Sequence, residues 1–97
     1  KIQLASLFAS QGRYAEAENT LAALLRHPTL DSIYRTIVLA RRCIILEQWG
    51  KNKQATEVRR ELQSEYAELI AENPSGRQFV DRVLTQPEKL LLGLADS

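Results

Sequence analysis

Apolar side chains recur at intervals of three and four along most of the chain. Leu4, Leu7 and Phe8 begin the pattern, and Tyr14, Ala17, Leu21, Leu24 and Leu25 follow. Ala55, Val58, Leu62, Tyr66 and Leu69 repeat it further on. This is the 3.6-residue period of an amphipathic helix, and no segment alternates as a strand does. Helix breakers then set the boundaries. Gly12 closes a first helix over about 1–11, and Pro28 closes a second over about 14–26. A third helix runs from about Asp31 to Trp49, with Gly50 where a helix end favours a left-handed residue. A fourth covers about Lys53 to Glu72 and stops at Asn73-Pro74. Ser75 and Gln78 form a Ser-x-x-Gln capping-box signature for a short fifth helix. Thr85 and Glu88 repeat that device before a final apolar stretch, Lys89 to Ala95. Short connections bring neighbouring helices antiparallel. The pattern predicts an all-α fold.

The third helix stands apart. Ile37 to Ala40 and Cys43 to Leu46 are continuous apolar runs, which leave Asp31, Arg35 and Arg42 as a narrow polar stripe. A helix apolar nearly all round must be covered on several sides, so it is expected at the centre, between the first hairpin and the fourth helix. The fourth helix keeps one apolar seam and a polar back carrying Glu57, Glu61, Glu65, Glu68 and Glu72, the mark of an outer helix.

A repeat emerges when the two halves are set side by side. The segment Leu4-Ala5-x-x-Phe8-x-x-x-Gly12-x-Tyr14-x-x-Ala17-x-x-x-Leu21-x-x-Leu24 resembles the helix-turn-helix pattern of the tetratricopeptide repeat (TPR) family, and Gln11–Glu18 looks like the turn of many such repeats. A second copy is looser: Gly50 matches Gly12, Ala55 matches Ala17, Leu62 matches Leu24, Cys43 matches Ala5 and Leu46 matches Phe8. Arg59 stands where the repeat wants a bulky apolar residue, and Asn52 replaces the turn tyrosine. The Gly12-to-Gly50 spacing also exceeds the usual period of about 34 residues. The resemblance covers about 1–72. It implies a short right-handed TPR-like solenoid: a hairpin over about 1–28, a second over about 30–73, and capping helices over about 75–97 within one domain. Because a repeat cannot bury its apolar face alone, so short a stack needs terminal helices or another chain to complete it. Lys1 already reads as helical, so the segment is expected to come from a longer chain.

Composition narrows the chemistry. Thirteen basic and twelve acidic residues give a formal net charge of +1, unlike the strongly basic balance of a dedicated nucleic-acid binder. The pairs Arg41-Arg42 and Arg59-Arg60 are interleaved with glutamates and read as surface ion pairs. No apolar run reaches the ~20 residues of a membrane-spanning helix. Cys43 is the only cysteine, which excludes an internal disulfide, favours a reducing, cytoplasmic setting and reads as a small buried hydrophobe. His27, the only histidine, lies at a helix end next to Pro28, where the macrodipole favours its positive form. No nucleophile motif, phosphate loop or metal-ligand set accompanies them. The expectation is a protein without catalytic residues, cofactor or metal.

In TPR proteins the first helix of each hairpin lines a concave groove for a peptide or helix. Carried over by the resemblance, the groove residues are Ile2, Ser6 and Ala9, then Ile37, Ala40, Arg41, Ile44 and Glu47. Chaperone-binding TPRs carry lysine and asparagine where this chain has Ile2 and Ser6, so a clamp for a C-terminal carboxylate is not expected. The aliphatic surface suits an amphipathic helix or a hydrophobic extended segment. These features imply a non-catalytic adaptor or scaffold domain with a protein or peptide partner. A regulatory or sensor segment of a signalling or transcription protein and a small chaperone for a secreted partner are the alternatives. The leucines Leu90, Leu91, Leu92 and Leu94 either fill that groove from within or dock a second subunit as a homo-oligomer contact.

Overall fold

The computed structural model describes residues 2–84 and 86–92, Ile2 through its backbone. Six helices lie among them: α1 (Ile2–Ser10), α2 (Tyr14–Leu25), α3 (Ser32–Trp49), α4 (Asn52–Glu72), α5 (Gly76–Val83) and α6 (Gln86–Leu91). The fold is all-α, with α1–α2 and α3–α4 as antiparallel packed pairs. Its Cα radius of gyration is 12.8 Å, the value expected of a globular domain of this size rather than an extended superhelix.

The same turn closes both hairpins. After α1, the Arg13 N–H donates to the Phe8 carbonyl at 2.8 Å and the Gly12 N–H to Ala9 at 3.0 Å. After α3, Lys51 donates to Leu46 at 2.9 Å and Gly50 to Glu47 at 3.1 Å. These six-to-one and five-to-two bonds form Schellman motifs, which need a left-handed residue past the helix end. Gly12 and Gly50 supply it at φ 77° and 86°. A Cβ at Gly50 would meet nothing within 4 Å, so Gly50→Ala meets only the backbone penalty. It is expected to destabilise by about 1 kcal/mol in urea unfolding, with Gly50→Asn costing less. An unchanged midpoint for the alanine variant would contradict this.

The helix starts are less uniform. Asp31 caps α3, its Oδ1 accepting the Ile33 N–H at 2.9 Å. The capping box at Ser75 and Gln78 does not form. Ser75 has helical angles itself, which no N-cap has, and its hydroxyl donates to Asn73 Oδ1 at 2.7 Å. Thr85 and 93–97 lie outside the described residues, so the second box and the end of the leucine run do too.

As its apolar circumference requires, α3 is the buried centre. Thr36 to Ala40, Cys43, Ile45 and Leu46 are all buried there, packed against α2 on one side and α4 on the other. Ala5, Ala17, Leu21, Ala55 and Leu62 extend the core into the flanking helices, and Val80, Leu84 and Leu91 add to it from the C-terminal part of the described chain. The polar stripe of α3 is not simply solvated: Arg35 pairs with Glu65 at 3.1 Å and Glu61 at 3.7 Å, and Arg42 with Glu18 at 2.7 Å. Two glutamates of the α4 back therefore face α3. One part of the expected pattern fails on α1, where Leu4 and Leu7 stay 45% and 52% exposed while Ala5 is buried. The helix packs mainly against α2, and these leucines lie on the side α2 leaves open.

Candidate functional site

A trough runs over the outward edge of α3, between α1 on one side and α6 on the other. Its first lobe holds about 540 Å³ and is walled by Ser6, Ala9 and Tyr14 from the first hairpin, Arg41 and Ile44 from α3, and Pro87 ahead of the last helical turn. A second lobe of about 480 Å³ continues towards α4, where Glu47, Arg59 and Leu90 line it. Ile44 and Pro87 belong to both lobes. Spaces of this size suit a few side chains of a peptide.

Arg41 organises the polar side of the trough. Its Nε donates to Glu88 Oε2 at 2.9 Å and its Nη1 to Ser6 Oγ at 3.3 Å, so one guanidinium ties α3 to both α6 and α1. The Glu88 side chain is only 2% exposed. A buried carboxylate demands such a partner, since its desolvation is otherwise uncompensated. At its other end α6 is held by α4, Gln63 Nε2 donating to the Leu91 carbonyl at 3.3 Å.

Of the residues expected in the groove, Ser6, Ala9, Arg41 and Ile44 line the first lobe, and Ile44 and Glu47 the second. Ile37 and Ala40 do not reach the trough. They are buried in the core, at 6% and 0% exposure, because α3 is covered on the flank they occupy. The side chain of Ile2 lies outside the described residues. Tyr14, Arg59, Pro87 and Glu88 join the lining without having been expected there. Tyr14 and Arg59 carried a signal, the first as the repeat's turn tyrosine and the second as a charge where the repeat wants a bulky apolar residue. The leucine run divides: Leu91 is buried, Leu92 is half-buried and Leu90 is 57% exposed at the trough.

The chemical candidates fall elsewhere. His27 is exposed beyond the end of α2, its Nδ1 2.8 Å from Thr29 Oγ1. Cys43 is buried, and its Sγ donates to the Ala55 carbonyl at 3.4 Å, where α3 crosses α4. Burial pushes its thiol from 9.0 up to about 11, with Glu47 adding to the shift and Arg59 opposing it. Tyr66 is raised as well, chiefly by burial. Both groups hold their proton more firmly when folded. The stability Cys43 contributes is therefore complete below pH 9 and lost as pH rises towards 11, while that of Tyr66 is complete below its ordinary value of 10.0 and lost above it. Native Cys43 is expected to react with iodoacetamide at pH 8 at least about 100-fold more slowly than in urea-unfolded protein, in proportion to its thiolate fraction. Equal rates would contradict the burial.

Among the described residues no group of three or more His, Cys, Asp or Glu side chains could hold a metal ion. No described helix is long and apolar enough to cross a membrane. These features define the class of the molecule: a compact all-α domain of six described helices in antiparallel pairs, with a two-lobed trough over its central helix. In comparisons with known proteins, no family model, no curated protein and no solved structure matches the chain.

Proposed function

We propose that this domain is a non-catalytic interaction module that holds a protein partner's helix or peptide in the trough over α3. The trough itself carries this reading: aliphatic walls from Ala9, Ile44 and Pro87 stand beside a fixed guanidinium, the combination that gives an interface both anchors and orientation. A TPR-like architecture, a short right-handed stack of two hairpins with terminal capping helices, is the form we propose for it. The matching Schellman turns at Gly12 and Gly50 support that reading, as do Ala17 and Ala55, both buried five residues after them. The chemistry-bearing side chains support a role without catalysis. His27 is exposed and Cys43 is buried, and neither lines the trough.

Ile44 belongs to both lobes and is half-buried, so a charge there spoils the trough more than the core. Ile44→Asp is expected to abolish capture of partners from lysate, with unchanged helical circular dichroism. Captured proteins that bind the variant as well as the parent would rule the trough out as the binding site.

A further inference from the structure

We infer that α6, the wall of this trough opposite α1, is itself a displaceable internal ligand of α3, and that the partner it stands in for presents a helical turn with an acidic residue three positions before a leucine. The inference rests on the proposed binding role of the trough and names the chemistry of what enters it.

The seating of α6 is the observation. Glu88 and Leu91 lie three apart, hence on one face of a helical turn. The Glu88 carboxylate meets Arg41 at 2.9 Å, Leu91 is buried against the core, and Gln63 donates to the Leu91 carbonyl at 3.3 Å. A cation, an aliphatic seat and a side-chain amide donor for its backbone are thus already placed for one short helix. Space remains beside it in both lobes, and Leu90 of the same turn stays exposed at their edge.

The hold on α6 is also modest. Six residues are too few to form a helix unaided. Only Leu91 and Glu88 are buried within it. The Glu88–Arg41 pair gains little net stability, because both groups surrender water to form it. A further tie among the described residues, Lys89 to Asp81 at 3.9 Å, is exposed on the aspartate side and weak. Against these stands the entropy of ordering the segment. A partner offering the same acidic and leucine anchors on a longer helix makes every α6 contact and reaches further over the α1 and α4 walls that α6 leaves open.

The test uses the full chain and a fluorescein-labelled peptide copying residues 84–92, read by fluorescence anisotropy. In the parent protein α6 competes with the peptide. Glu88→Lys faces Arg41 with a like charge, undocks α6, and is expected to bind the peptide about tenfold more tightly, as when the open form rises from a tenth of the population to most of it. Arg41→Glu is expected to lose the peptide, and to bind instead a peptide whose glutamate is replaced by arginine. Hydrogen exchange across Gln86–Leu91 of the parent is expected to accelerate when the original peptide saturates it. Equal affinity of the parent and Glu88→Lys, or exchange in α6 unmoved by saturating peptide, overturns the inference. Either result leaves the trough itself to be judged by the Ile44→Asp capture experiment. Peptide binding that Arg41→Glu does not weaken overturns it too, by placing the contact elsewhere.

Discussion

Leu62→Ala is expected to lower the unfolding free energy by about 3 kcal/mol, among the largest effects of any single truncation in this chain. The side chain is 0% exposed and belongs to the central core, in the interface between α4 and α3. Alanine removes apolar area from the interior and leaves a cavity that two long helices cannot easily close. For a domain of about 100 residues each kcal/mol moves the melting point by roughly 4–8 °C, so a fall of about 12–24 °C is expected in calorimetry. Leu90→Ala is the matched control. It deletes the same atoms from a residue 57% exposed and is expected to change stability little. Comparable losses in the two variants would mean that α4 does not pack as described.

Ala17→Leu acts in the opposite sense and is expected to cost about 3 kcal/mol. Ala17 is 0% exposed in α2, and Ala5, equally buried, belongs to its hairpin partner α1. Small residues there let α1 and α2 lie close. A leucine must force its own rotamer, or the neighbouring helix, out of place. Since Ser6 and Ala9 of α1 form one wall of the trough, displacement of α1 also moves that wall. The variant should therefore lose partner binding together with stability, whereas Leu62→Ala, which removes atoms without pushing a wall of the trough aside, should lose stability first. Thermal melts paired with binding titrations separate the two. A leucine at position 17 that leaves the melting point unchanged would show that the hairpin has room to spare.

The helix boundaries were legible because they are local chemistry. Gly12, Asp31, Gly50 and the Asn73-Pro74 stop each act within a few residues, and the observed ends fall within one residue or two of them. The central place of α3 was legible for a related reason, since an all-round apolar helix has nowhere else to go. The capping box at Ser75 misled because Ser75 takes up helical angles itself while its hydroxyl donates to Asn73 two residues back, a backbone choice that spacing alone does not reveal. The trough was only half legible. Ile37 and Ala40 read as groove positions by alignment with the repeat, yet the cover that makes α3 central also buries them. Glu88 was the least visible residue. In sequence it is an ordinary acidic residue of a helix start, and only the packing of α6 across α3 brings it to Arg41.

Three arginines leave α3 in three directions. Arg42 reaches α2, Arg41 reaches α6, and Arg35 reaches α4. Leucine and alanine surfaces are poor at telling one helix from another, whereas these ionic links recognise a carboxylate at a given place along the axis, or for Arg35 a pair of them one turn apart. They work as addresses: a slide of α3 by a single residue misdelivers all three together. High salt should accordingly blur the choice among alternative helix arrangements before it weakens the apolar core. Exchanging Arg42 with Glu18 should preserve the address by reversing both of its halves.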